Sequence, residues 1–299
     1  MILIGMAAFG QDSNYSATDI PISKYIDGTL LQPNEGASSL AIIIADSGPI
    51  DRNGNQDFQK TNNLKKLAIA LTQQGIATFR YDKRIVKQIR RGNLDPNIKF
   101  DNFISDARDA IEYFRKMNDY KKIYVIGHSQ GSLVGMMAAL DKADGFISIA
   151  GAGKSIDAVI LEQVELTAPM FTDDTKRIVA VLKDGKTTNQ YPKALGSMFD
   201  LSVQPFMASW MKYNPLEEIA KLEIPVLVIN GTKDLQVSTE EAKSLNSAAK
   251  NSQLKLVENM NHVFFIINGD EQENAKSYND HSGKVSEELV ESIVSFIKK

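Results

Sequence analysis

The sequence predicts an α/β protein with a mostly parallel sheet and helices on both faces. Three observations predict it. Short apolar runs rich in β-branched residues recur along the 299 residues, as strands buried on both faces require. Stretches with apolar residues at helical spacing follow most of them. Loops dense in turn formers come directly after the strands, on the edge where open α/β sheets bind ligands.

Taken in order, Ser23 to Leu31 reads as an early strand broken by a turn at Asp27-Gly28. Leu40 to Ala45 is the most apolar run and reads as a central strand. It empties into the loop Asp46 to Asn55. Leu64, Leu67, Ala68 and Leu71 mark an amphipathic helix that Gly75 can end, and Ile76 to Tyr81 is the next strand. Phe103, Ala107, Ala110, Ile111 and Phe114 mark a helix ahead of the strand Ile123 to Ile126. Leu133, Met136, Met137 and Leu140 mark another, followed by the strand Phe146 to Ala150. This repetition is the pattern of a parallel sheet.

The alternation stops at Gly151. From Ser155 to Leu222 the candidate elements are helices, at 157–166, 175–183 and 192–211, before strands resume at Val226 to Ile229 and Leu254 to Val257. An insertion at that point lies over the C-terminal edge of the sheet and reads as a cap. Of its apolar residues, Met170, Phe206 and Trp210 are the candidate substrate contacts. A polar helix at 240–249 and an amphipathic one at 285–297 complete the core, with 269–283 expected as a mobile loop. The organisation expected is a core over 19–152 and 223–299, a helical cap over 153–222, and an N-terminal segment 1–18 outside both.

Met1 to Phe9 is apolar and runs into the polar stretch Gln11 to Thr18, which reads as an export signal truncated before its basic region, or as an apolar tail. The first places the protein outside the cytoplasm or in a periplasm, the second in the cytoplasm. A net charge of −3 and the lack of a basic stripe argue against a nucleic-acid partner. Lys83, Arg84, Lys87, Arg90 and Arg91 form the densest basic stretch and read as a solvated face. No other run is long and apolar enough for an integral membrane span. With no cysteine and three histidines lacking a His-x-x-x-His pair, neither thiolate catalysis nor a metal centre is expected.

The chemistry centres on Gly127-His128-Ser129-Gln130-Gly131, a G-x-S-x-G between a predicted strand and a predicted helix. A serine in so tight a turn projects its hydroxyl at the sheet edge, and the flanking glycines let strand and helix approach. A serine hydroxyl needs a base, and the base a group that fixes its tautomer. Asp234 and His262 each follow an apolar strand, so both fall on the edge that carries Ser129. His281 is the other candidate base, but it sits in the polar 269–283 stretch. His128 reads as structural. The N–H groups of Gln130 and Ser47 are the candidate oxyanion donors, each contributing about 3 kcal/mol in such sites.

On these residues the chain resembles the α/β-hydrolase superfamily, and within it the serine aminopeptidase-like and acyl esterase group. The resemblance runs from about Ser23 to the end. It rests on Ser47-Gly48-Pro49 with Asp51-Arg52, Arg80-Tyr81-Asp82-Lys83-Arg84, the Ser129 pentapeptide, Gly231-Thr232-Lys233-Asp234 and Asn261-His262. It implies an eight-stranded, mostly parallel sheet, a helical cap, and hydrolysis through an acyl-enzyme with no cofactor. Two departures stand out: Asp46 and Ile85 occupy positions where relatives tend to carry Gly. A carboxylate at 46 opposes a developing oxyanion unless it turns away or pairs, with Arg52 or Arg84 as the expected partner.

The function expected is hydrolysis of small-molecule carboxylic esters. An aminopeptidase-like amide hydrolase on the same triad is the alternative, with Glu162, Glu165, Asp173 and Asp174 available to hold a substrate amine. A non-catalytic binding protein for a small ligand on a hydrolase scaffold is the further alternative.

Overall fold

The computed structural model describes residues 14–57, 59–140 and 142–299; the Met1 to Phe9 run lies outside them. Ten strands form: β1 (Tyr15–Pro21), β2 (Asp27–Pro33), β3 (Ser39–Ile44), β4 (Asn55–Gln56), β5 (Gln59–Lys60), β6 (Ala77–Tyr81), β7 (Lys122–His128), β8 (Gly145–Ile149), β9 (Val226–Gly231) and β10 (Ser252–Val257). Eight of them make one sheet in the order β1-β2-β6-β3-β7-β8-β9-β10, while β4 and β5 pair separately. From β6 to β10 every pairing is parallel, and only β2 runs against its neighbours.

Twelve α-helices connect the strands: α1 (Asn63–Gln73), α2 (Arg84–Arg90), α3 (Phe100–Met117), α4 (Gln130–Ala139), α5 (Ile156–Thr167), α6 (Thr172–Lys183), α7 (Gly196–Phe199), α8 (Gln204–Trp210), α9 (Pro215–Ile219), α10 (Thr239–Ala248), α11 (Glu271–Ser277) and α12 (Glu287–Ile297). None is long and apolar enough to cross a membrane.

The period-2 alternation of β3 decides which helices cover which face. Leu40, Ile42 and Ile44 point to the face packed by Phe103, Ile104, Ala107, Ile111 and Phe114 of α3 and by Leu133, Val134 and Met136 of α4. Ala41 and Ile43 point to the opposite face, packed by Leu64, Leu67 and Leu71 of α1 and Leu289, Ile293 and Phe296 of α12. The segment between β8 and β9 holds helices and no strand among its described residues, and it has an apolar cluster of its own around Ile160, Ile178, Leu182 and Phe199.

Four sequence expectations change. Asp27 and Gly28 belong to β2, and the chain reverses earlier, where the Ile22 and Ser23 N–H groups donate to Ile26 O. Tyr15 to Thr18, expected in the segment outside the core, form half of β1, paired with Leu30 to Pro33. The helix expected over 192–211 is broken into α7 and α8, since Asp200 bonds the N–H and hydroxyl of Ser202 and turns the chain there. The 269–283 stretch contains α11, capped by the Asp270 carboxylate on the Gln272 and Glu273 N–H groups.

Candidate active site

Strand β7 ends against α4 with almost no space. A Cβ on Gly127 would lie 2.2 Å from Gly131 O, and one on Gly131 would lie 2.5 Å from Ile44 O, so any larger residue would force the elements apart. Between them Ser129 takes φ 53°, ψ −117°. A non-glycine residue held there costs about 1–3 kcal/mol, and the packing of β7, β8 and α4 holds it: Ser129 N–H donates to Ile149 O at 2.9 Å, and Ser129 O accepts from Ser132 N–H at 2.8 Å.

Asp234 follows β9. Its Oδ1 accepts from the N–H groups of Gln236 and Val237 at 2.8 and 2.9 Å, which fixes the carboxylate and leaves Oδ2 for His262 Nδ1 at 2.8 Å. His262 follows β10 on a loop tied down by Asn261. The Asn261 Oδ1 accepts from the Val263 and Phe265 N–H groups, and its Nδ2 donates to Asn274 Oδ1 and Ser277 Oγ on α11. The polar stretch expected to be mobile thus buttresses the histidine loop. His281, by contrast, is exposed, and its backbone carbonyl accepts from Lys66 Nζ.

The expected partnership of Asp46 does not form. Arg52 pairs with Asp19, Asp27 and Asp82, and Arg84 with Asp106, so both guanidinium groups are committed elsewhere. Asp46 is instead 7 % exposed and lies inside the site. Its Oδ2 is 3.3 Å from His262 Nε2, and its Oδ1 accepts the Ser47 N–H. The carboxylate therefore faces the imidazole nitrogen that Ser129 would need, and the Ser47 N–H is occupied.

The basic stretch is a solvated face only at its end, where Arg90 and Arg91 are exposed. Lys83 and Arg84 are buried, Lys87 pairs with Asp27, and Arg90 pairs with Asp51 and Asp82. Arg52 N–H and guanidinium both reach Asp82, at 2.8 and 3.0 Å, and this pairing anchors the loop that follows β3.

The electrostatics follow from these contacts. Burial by itself would lower the His262 pKa, but its hydrogen bonds to Asp234 and Asp46 and their charges outweigh it and raise it to about 10. Asp46 is held well below the usual carboxylate range: burial opposes its charge, and His262, His128 and Ser129 favour it more. His128 is pushed down to about 4, first by burial and then by the neighbouring His262, and stays neutral with Nε2 on His262 O at 3.0 Å. Asp46, His128 and His262 also bring three metal-ligating atoms within 4.8 Å of one another, a grouping hidden in the sequence because the two histidines lie on different strands' ends.

Ser129, Ser47 and Gln130 open on a cavity of about 560 Å³ lined by Leu133, Ile156, Val159, Leu166, Trp210, Leu235 and Val237, with Lys154, Glu162 and Glu241 among its polar residues. Met170 and Phe206 do not line the cavity: Met170 is 75 % exposed in the turn between α5 and α6, and Phe206 packs against Phe100 and Phe103 at centroid distances of 6.2 and 5.4 Å. The α5 residues were missed because the α5 sequence is apolar on more than one face, so nothing in it distinguishes packing from lining. A wider groove of about 990 Å³ beside α11 touches none of Ser129, Asp234 or His262.

This division gives a prediction. Trp210→Ala should change the preference among esters of different acyl length and, because its ring also stacks on Phe100 at 5.3 Å, lower stability by about 3 kcal/mol as well. Phe206→Ala should lower stability by up to about 3 kcal/mol, as large-to-small changes in packed clusters do, and scale all esters alike. Thermal melts and an acyl-length panel on both variants check it; identical profiles for the two would contradict it.

The comparisons agree with this geometry. Residues 59–193 match the family model described as serine aminopeptidase, S33. The chain is 23% identical to Esterase EstD of Thermotoga maritima over 296 residues, covering 96% of this chain and 68% of that protein. Among solved structures it resembles Est1E of Butyrivibrio proteoclasticus with bound ferulic acid, at TM-score 0.61 and 18% identity over 94% of this chain and 99% of the other. It also resembles the Pyrococcus furiosus esterase Pf2001, at TM-score 0.56 and 14% identity over 99% and 95%. This strand order and this serine turn give the chain the α/β-hydrolase fold, which the solved structures it resembles share.

Proposed function

We propose that the chain is a carboxylesterase-like serine hydrolase that cleaves small carboxylic esters through an acyl-enzyme. Ser129 is the nucleophile, His262 the general base and later acid, and Asp234 the group that holds the imidazole tautomer. The Gln130 and Ser47 N–H groups receive the oxyanion, and the acyl group lies in the cavity beside Trp210. The observation that carries this reading is the conjunction of Ser129 at φ 53° with a buried His262–Asp234 pair at the same sheet edge.

In this reaction Ser129 Oγ attacks the ester carbon as its proton passes to His262 Nε2. The tetrahedral adduct collapses, the alcohol leaves with that proton, and water repeats the sequence on the acyl-enzyme. The apolar lining from Leu133, Val159 and Leu166 suits an acyl chain, and the helices between β8 and β9 act as the cap that encloses it.

The family description favours amide hydrolysis as the second reading, which needs a free carboxylate to hold a substrate amine. Glu162 lines the cavity but pairs with Lys154, and Glu241 lines it with its carboxylate on the Gly153 and Lys154 N–H groups; Glu165 pairs with Lys176 and Asp174 with Arg177, and neither they nor Asp173 line it. The ester reading therefore ranks first. Hydrolysis of p-nitrophenyl esters from acetate to decanoate, set against aminoacyl arylamides, tests it. Ester kcat/KM should exceed arylamide kcat/KM by at least about 100-fold, or ~2.7 kcal/mol of transition-state stabilisation; preference for the arylamides would reverse the order.

A further inference from the structure

We propose that Asp46, His128 and His262 form a three-ligand site for a divalent cation of the zinc class, and that an ion bound there withdraws His262 from catalysis. The site is argued from geometry alone; its effect on turnover rests on the serine-hydrolase reading.

Spacing along the chain predicts no metal centre, and the sheet brings together what spacing does not. Asp46 follows β3, His128 ends β7 and His262 follows β10. Each residue offers a ligand atom within 4.8 Å of the other two. Bonds of about 2.0–2.1 Å at tetrahedral angles place two ligands of one ion about 3.3 Å apart. His262 Nε2 and Asp46 Oδ2 already lie 3.3 Å apart, so the set has to contract by about 1.5 Å at most to hold an ion.

Each ligand is oriented by its other polar atom, as histidines and carboxylates on metals are. His262 Nδ1 gives its hydrogen to Asp234 Oδ2 at 2.8 Å, and His128 Nε2 gives its hydrogen to the His262 carbonyl at 3.0 Å. The nitrogens left for a cation are His262 Nε2 and His128 Nδ1. Asp46 Oδ1 accepts the Ser47 N–H, which leaves Oδ2 for the ion. The His128 ring is held against Phe264, with 4.6 Å between centroids. A bound cation takes the place of the hydrogen between Nε2 and Oδ2, and one proton leaves per ion.

All three residues are buried. One carboxylate with two imidazoles suits Zn²⁺ or Co²⁺, whereas Ca²⁺ and Mg²⁺ take oxygen ligands. Asp234 adds a second negative charge behind His262, and the opposing charge is the Lys83 ammonium on the Asp46 carbonyl. The same three residues line a cavity of about 30 Å³ together with Gln56, Gln236 and Tyr278. That is the space of about one water molecule, the usual fourth ligand of a three-residue zinc site. Ser129 does not line it and opens instead on the cavity of about 560 Å³. An ion on His262 Nε2 therefore occupies the lone pair that takes the Ser129 proton while the larger cavity stays open, so kcat falls and KM does not.

The test begins with binding, on protein freed of metal by a chelator. Titration with Co²⁺ should give the intense visible bands of a four-coordinate ion, saturating at one per chain; Zn²⁺ should remove them by displacement, and excess Ca²⁺ should not. Asp46→Gly and, separately, His128→Ala should each weaken Zn²⁺ binding at least about tenfold, with folding checked by circular dichroism. Ser129→Ala and His281→Ala should bind as wild type does. On a p-nitrophenyl ester, saturating Zn²⁺ should lower wild-type kcat at least about tenfold with KM little changed, and chelator should restore it. Absence of a saturable ion, or unchanged affinity in a folded Asp46→Gly and a folded His128→Ala, would overturn the site. Should both variants fail to fold, the wild-type cobalt spectrum decides, since the weak bands of a six-coordinate ion would overturn it. Binding as expected with kcat unchanged would overturn the effect on the base. A metal-free wild type that hydrolyses no ester would overturn the serine-hydrolase reading, and the binding titration would then judge the site by itself.

Discussion

Ser129→Ala is expected to reduce ester turnover by about 10⁴-fold or more, since loss of a nucleophile leaves only binding and oxyanion stabilisation, while Tm stays within about 2 °C. The stability half of this expectation comes from the backbone. The strain at φ 53° belongs to the turn, and alanine carries the same Cβ, so the substitution neither adds nor relieves it. Only a hydroxyl is lost, at a net cost of about 1 kcal/mol at most. Ester hydrolysis and a thermal melt on the same preparation check both halves. Retained turnover near the wild-type rate would remove Ser129 from the mechanism.

His262→Ala should lower kcat by a comparable factor, about 10⁴-fold, and should also destabilise the protein. Its removal leaves Asp46 and Asp234 buried without the cation between them, and breaking such an arrangement costs about 3–5 kcal/mol. Activity therefore has to be referred to the folded fraction, measured by circular dichroism at the assay temperature. His281→Ala, at an exposed position, should match wild type in both. A silent His262→Ala with a damaging His281→Ala would reverse the assignment of the base.

The sheet was legible because its strands are buried on both faces: Leu40 to Ala45 and Ile123 to Ile126 can be little else. The elbow was legible for a steric reason, since Gly127 and Gly131 are spaced as close packing of β7 on α4 requires. The Asp234–His262 contact was legible only as a shared sheet edge. What completes it, Asn261 reaching α11, depends on two loops meeting in space. Asp46 was recognised as a departure, but its partner was misassigned to arginines near in sequence. Those arginines are drawn off by Asp82 and Asp106, while His262, 216 residues away, is brought within reach by the fold. Met170 and Phe206 failed as pocket residues because hydrophobicity identifies what is sequestered, not whether a neighbouring side chain or a ligand covers it. The start of the basic stretch failed likewise: charge spacing alone did not reveal the carboxylates from β2, β6 and the loop after β3 that meet it.

Covalent labelling with a fluorophosphonate at about pH 9, followed by mass analysis of proteolytic peptides, tests most directly whether Ser129 is an activated nucleophile. One adduct per chain is predicted, on the peptide that contains Gly127 to Gly131, formed in wild type, formed faster in Asp46→Gly, and lost in Ser129→Ala. A folded wild type and a folded Asp46→Gly that both remain unlabelled, or an adduct that persists when Ser129 is gone, would contradict the assignment.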